Sequence, residues 1–103
     1  MGRYGFAIVR GRSMEPTLRD GDRLLVRYGA EPRLGQLAVV RLPDRGVASV
    51  KRVTRRDADG WWVERDNPAE GVDSWLVGAI PDADLVAVVL GRVWPRPRWG
   101  TIR

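Results

Sequence analysis

The chain has 103 residues, 44% of them apolar and 30% charged, a balance that fits one globular domain over residues 1–103 and excludes wholesale disorder. With neither cysteine nor histidine, it excludes disulfides, thiolate or imidazole metal sites, a cysteine nucleophile and any triad built on an imidazole. The net charge is +5, and the basic residues are seventeen arginines and a single lysine, Lys51. Arginine stays protonated, so base catalysis near neutrality falls to Lys51, a carboxylate or a tyrosine.

In chain order the expected strands are Tyr4–Arg10, Asp22–Tyr28, Gln36–Leu42, Val47–Arg56, Gly60–Arg65 and Leu85–Val93. Turn signals stand between them at Asp20-Gly21, Glu31-Pro32, Pro43-Asp44-Arg45-Gly46 and Asp57-Ala58-Asp59-Gly60, the last a hairpin loop. No segment sustains a helical apolar period, so one short helical turn is expected, over Met14–Arg19, with Ser13 as its cap and Pro16 in its first turn. Short, valine-rich runs between glycines and prolines predict an all-β fold, a small twisted and coiled barrel-like sheet. The proline-rich tail, 94–103, is expected to run extended and frayed.

The longest apolar run, Leu85–Leu90, has six residues, whereas a spanning helix needs about twenty. Met1–Arg10 lacks the apolar stretch of a secretory signal. The expectation is a soluble, cytoplasmic protein without a transmembrane segment. Its arginines are dispersed among acidic residues, which predicts no specific nucleic-acid partner.

On a strand through Lys51, alternation places Val47, Ser49, Lys51 and Val53 on one face. A lysine among apolar neighbours has its charged form disfavoured, and the neutral amine can take a proton from a serine hydroxyl. The serines are Ser13, Ser49 and Ser74. Ser49 shares the Lys51 face but sits about 7 Å along it, poorly aimed to meet the amine. Ser13, between Gly11-Arg12 and a turn, can project its hydroxyl from a loop while a backbone N–H faces a substrate carbonyl. No carboxylates show metal-ligand spacing, so neither a metal nor any other cofactor is expected. Trp61 and Trp62 fall on opposite sheet faces, one in the core and one partly exposed.

These segments also carry a resemblance. Ser13-Met-Glu-Pro-Thr-Leu18 with Gly21-Asp22-Arg-Leu-Leu-Val26 resembles the nucleophile box of type I signal peptidases and their Ser-Lys relatives. Val50-Lys-Arg-Val53 is similar to that family's general-base strand. Asp66-Asn-Pro68, Asp73-Ser74 and Gly78-Ala-Ile-Pro81 resemble its later box, and Leu90-Gly-Arg-Val93 its closing strand. The wording of Asp22–Gly29 and Gly60–Val63 looks most like the branch that matures nickel-type superoxide dismutase by clipping a short leader. The resemblance implies a Ser-Lys serine endopeptidase with Ser13 as nucleophile, Lys51 as general base and the Ser13 N–H as one oxyanion donor. Two residues before the nucleophile the family often has a serine as second donor, and this chain has Gly11. The family's glycine before Asp-Asn is Arg65 here, its lysine-orienting serine is Gly71, and its arginine after Asp-Ser is Trp75.

The partner implied is an extended peptide paired with strand edges, Ala7–Arg10 on one side and part of 47–56 on the other. Ile8, Arg10, Gly11 and Met14 would line its site. Ser49, Asp66, Asp73 and Ser74 would brace it. Two rival readings share the composition: a catalytically silent relative that only binds peptide, and an arginine-rich barrel that grips single-stranded nucleic acid through exposed tryptophans.

Overall fold

The computed structural model describes residues 3–43 and 48–102, and among these residues the chain forms seven strands. The strands are β1 (Arg3–Ile8), β2 (Arg23–Tyr28), β3 (Leu37–Arg41), β4 (Ala48–Asp57), β5 (Gly60–Glu64), β6 (Leu85–Trp94) and β7 (Arg98–Trp99). A four-residue helix, α1 (Ser74–Val77), and a 3-10 turn (Asp82–Asp84) precede β6. Each expected strand is present, its ends within two residues of the pattern in the sequence. The expected turn residues Asp44, Arg45 and Gly46, and the strand start at Val47, lie outside the described residues.

All strands pair antiparallel in one sheet of order β1-β2-β6-β3-β4-β5, with β7 on β6. Register shifts between β2 and β6, β3 and β6, and β4 and β5 introduce irregularities that bend and twist the strands. Among the described residues the sheet does not close, and β1 and β5 stand at the two ends of its strand order. The hairpin read from Asp57–Gly60 joins β4 to β5, with Asp57 opposite Gly60 and its carboxylate accepting the Asp59 N–H.

Two apolar clusters fill the interior. One gathers Val9, Met14, Leu18, Leu24, Val89 and Ile102; the other gathers Val40, Val53, Trp61, Val63 and Ile80. Each such fully buried side chain contributes about 1.5–3 kcal/mol relative to exposure. Trp61 is the core member of its pair, and Trp62 is half-buried.

The first cluster positions the segment between β1 and β2. Val9 N–H donates to Asp22 O at 2.9 Å and Gly21 N–H to Val9 O at 2.8 Å, closing the excursion at its base. Met14 and Leu18 are plugs in the core, so Ser13, next to the first plug, is held at the rim. The expected helical turn over Met14–Arg19 is reduced to one i→i+4 bond, Leu18 N–H to Met14 O at 2.9 Å, within a run of turns. The Ser13 hydroxyl is engaged with Lys51, not with this turn.

The tail, expected to fray, folds back over its described residues. β7 pairs with Gly91 and Arg92 of β6, Gly100 N–H donates to Leu90 O at 2.9 Å, and Ile102 is buried. Burial of one isoleucine with a two-residue strand outweighs the local preference of a proline-rich segment for free extension.

Candidate active site

β3, opposite β4, sets the position of the amine. Lys51 pairs with Ala38, and its side chain turns inward beside the core, leaving the residue only 3% exposed. Its Nζ lies 2.8 Å from Ser13 Oγ, across 38 residues of sequence. Burial pushes the Lys51 pKa below its ordinary 10.5; the nearby Asp73 carboxylate opposes that shift and the Arg65 guanidinium reinforces it. The hydroxyl therefore meets an amine biased toward its neutral, proton-accepting form.

The loop between β5 and α1 closes over this pair. Asn67 N–H donates to Ser13 O at 2.8 Å, and Asn67 Nδ2 donates to Arg12 O at 2.9 Å, tying the serine backbone from both sides. Gly71 packs directly on Ser13: a Cβ placed on Gly71 would stand 2.4 Å from Ser13 Cβ. The position that the resemblance gives to a lysine-orienting serine is thus filled by close backbone approach.

Asp73, buried, caps α1 by accepting Trp75 N–H at 3.1 Å, and accepts Arg65 N–H at 3.1 Å. Ser74, also buried, accepts Val63 N–H at 2.8 Å and so fastens α1 to β5. Asp66 accepts Thr17 Oγ1 at 2.6 Å and a bidentate pair from Arg52 Nε and Nη2 at 2.9 and 2.7 Å. Burial raises the Asp66 pKa, but the bonds from Arg52 and Thr17 outweigh it and hold the carboxyl below its ordinary value. Arg52 Nη1 also donates to Gly35 O at 2.7 Å. The guanidinium of the residue next to Lys51 thus holds Asp66 and the loop before β3, and through Asp66 it is linked to Thr17 in the turn after Ser13.

A cleft of about 390 Å³ opens beside Ser13, with Ala7–Arg10 on one wall, Ala48–Val50 on the other and Met14 and Val39 at its base. Ile8, Arg10, Met14 and Ser49 thus border one groove with Ser13. Gly11 differs. Its N–H donates to Asp20 Oδ1 at 2.7 Å, so it is not available to a substrate oxyanion. Among the described residues nothing accepts the Ser13 N–H, which leaves that donor free. No group of three or more metal-ligating side chains comes together among the described residues.

Several supporting residues carry no sequence signal of their own. Arg52 and Thr17 reach Asp66 across 14 and 49 residues, separations at which a pairing cannot be read from one chain. Arg65 is the larger omission. Its guanidinium donates to Asn67 O at 3.1 Å, Pro68 O at 3.1 Å and Gly71 O at 3.3 Å, and pairs with Asp73 at 3.6 Å. It thereby supplies a guanidinium beside Asp73, where the resemblance expects one from position 75. Trp75 instead lies on the surface, edge-on to Trp62 at 5.4 Å.

Arg65→Gln is expected to raise the Lys51 pKa, by removing a positive neighbour and leaving Asp73 less well compensated. Arg65→Lys should move it less while still loosening the loop, because an ammonium cannot span three carbonyls. Selective ¹³C-lysine labelling gives a single side-chain set to titrate, since Lys51 is the only lysine.

Comparison with known proteins agrees with this architecture. The peptidase S24-like family model matches residues 2–90. The mitochondrial inner membrane protease subunit 1 of Schizosaccharomyces pombe is 29% identical over 117 aligned positions, covering 89% of this chain and 74% of that protein. Its counterpart from Xenopus tropicalis is 28% identical over 121 positions, covering 93% and 72%. Neither relative bears the name of the superoxide dismutase maturation branch that the sequence wording suggests. With a family match over most of its length, an open antiparallel sheet and protease subunits among its relatives, the chain belongs to the peptidase S24-like family and is a serine peptidase of the signal peptidase type.

Proposed function

We propose that the protein is an endopeptidase working through a Ser13–Lys51 dyad, which removes a short amino-terminal leader from a specific protein. The observation that carries this reading is the 2.8 Å contact between Ser13 Oγ and the buried amine of Lys51. Neutral Lys51 takes the Ser13 proton as Oγ bonds to the scissile carbonyl carbon, and the Ser13 N–H stabilises the oxyanion. The ammonium then protonates the departing amine, leaving an acyl ester on Ser13. Lys51, neutral again, deprotonates a water that attacks the ester, and the final proton transfer restores the hydroxyl. The substrate lies extended in the cleft, pairing with the edge near Ala7–Arg10, and its small apolar side chains face Met14 and Val39.

The pH dependence follows from the state of the amine. Activity requires the neutral form, so the rate should rise with pH through the Lys51 pKa, with a midpoint below 10.5. Stability should follow the same sign. The cost of burying the charged amine is fully present below the folded-state pKa and disappears as pH rises toward the unfolded value. A rate limb that coincides with the Lys51 titration seen by NMR supports the dyad; a rate that falls over that range removes Lys51 as the base.

The finer reading makes the precursor of nickel-type superoxide dismutase the substrate, supported by the wording of Asp22–Gly29 and Gly60–Val63. Mass spectrometry of that precursor after incubation tests it. A cut at the leader boundary, absent with Ser13→Ala, is expected. An intact precursor alongside cleavage of other leader peptides would move the substrate elsewhere and leave the dyad standing.

A further inference from the structure

The turn before β2 and the folded-back tail enclose a second cavity, of about 350 Å³, which shares no lining residue with the peptide cleft. Arg19, Arg92, Arg96 and Arg98 line it against one carboxylate, Asp22. Arg98 stands opposite Arg92 in the pairing of β7 with β6, so the two side chains share a face, the one turned away from Trp99. Arg92 ties the walls together. Its Nε donates to Arg96 O at 2.7 Å and its Nη1 to Thr17 O at 3.3 Å, with Asp22 Oδ2 at 3.5 Å. The Arg92 side chain is only 15% exposed, and its Nη2 meets no acceptor among the described residues.

The Asp22 carboxylate is already engaged, by Arg92 and by the Arg19 N–H at 2.9 Å. Arg12, Arg52, Arg55, Arg56 and Arg65 each find a carboxylate elsewhere, but Arg19, Arg96 and Arg98 form no ion pair among the described residues. Guanidiniums gathered around one concavity repel one another. The tail that brings two of them is held in place by the burial of Ile102 and the pairing of β7. An anion with two or more charges would turn that repulsion into attraction, and guanidinium forks match carboxylate and phosphate oxygens in geometry. Among the described residues no aromatic side chain lines the cavity, so the stacking platform that nucleobases use is missing. Its volume suits a small molecule, with Pro16, Pro95 and Ile102 as apolar wall.

We propose that this cavity binds a small polyanion without an aromatic base, a di- or tricarboxylate or a compact phosphate compound, held by Arg19, Arg96, Arg98 and the spare Nη2 of Arg92. Pro16 and Thr17 of the turn after the nucleophile face this cavity, whereas Ser13 and Met14 border the peptide cleft. Binding here does not depend on the proposed dyad.

Isothermal titration of the whole chain with citrate and with pyrophosphate, in about 0.1 M sodium chloride, tests this and tells the two kinds of anion apart. At least one should bind saturably, one per chain, and raise the thermal midpoint, whereas acetate at the same concentration should do neither. Arg19→Gln, Arg96→Gln and Arg98→Gln should each weaken binding about tenfold while keeping the far-UV spectrum of the parent. Arg41→Gln removes the same charge from an exposed position on β3 outside the cavity, and should leave the affinity within about twofold. Ser13→Ala, which removes cleavage under the proposed function, should bind the anion as the parent does. The absence of saturable binding by either anion up to about 10 mM would overturn the proposal. So would equal weakening in Arg41→Gln and Arg98→Gln, the sign of diffuse attraction to net charge. Loss of binding in Ser13→Ala would overturn it too, by moving the anion to the peptide cleft.

Discussion

Lys51→Met is expected to lower peptide cleavage by about 10⁴-fold or more while leaving the protein folded. Methionine matches the aliphatic body of lysine but has no proton-accepting nitrogen, so the Ser13 hydroxyl loses its base. The variant should be at least as stable as the parent, because it removes a buried amine whose charged form the interior disfavours. Ser13→Ala should abolish cleavage as well, with the opposite effect on stability. It removes the hydroxyl 2.8 Å from Nζ and leaves a buried amine without that partner, at a cost of about 1–3 kcal/mol. Lys51→Arg should fail to rescue, since a guanidinium stays protonated throughout the accessible pH range. Mass spectrometry of leader peptides together with thermal unfolding reads both effects. An active Lys51→Met protein would remove the amine from the mechanism, whatever its distance from Ser13.

Much of this arrangement is legible in the sequence, and the reason is compositional. One lysine and three serines make the search for a dyad short, and period-two alternation places the strands because each buries one face against a core. The elements that escape are those set by distant partners. α1 depends on Asp73 capping Trp75 and on Ser74 reaching Val63, and four residues show no helical period. The tail reads as free because Ile102 finds its pocket only when β1, β2 and β6 are assembled. Gly11 illustrates the reverse. The sequence places it in the lining of the site beside Ser13, but its N–H is taken by Asp20, nine residues away.

Arg65 and Gly71 show why departures from a family pattern do not by themselves signal lost activity. Arg65 holds the loop through three of its carbonyls while facing Asp73. The loop so held carries Asn67 onto the Ser13 backbone and Gly71 onto the Ser13 side chain. A side chain at position 65 thus stands where the pattern expects one at 75, and Trp75 lies exposed on the surface.

Gly71→Ala is the second substitution with a large expected effect. The new methyl would lie 2.4 Å from Ser13 Cβ, on a backbone at φ +105° that residues with a Cβ rarely adopt. One side must yield. Either the loop retreats, breaking the Asn67 bonds to Ser13 and Arg12, or Ser13 is pushed from Lys51. A displacement of about 1 Å at the reacting group is enough to lower the rate roughly 100-fold, and the strain itself should cost about 1–3 kcal/mol of stability. Serine at position 71 meets the same contact, so restoring the residue of the family pattern should also lower activity in this chain. The pH profile then separates the two ways of yielding. If Ser13 moves away, the amine keeps its pKa while the rate falls at every pH; if the loop retreats, water reaches Lys51, its pKa rises toward 10.5, and the rate limb moves with it. A Gly71→Ala or Gly71→Ser protein with unchanged rate and stability would show that the contact between this loop and Ser13 does not constrain the nucleophile.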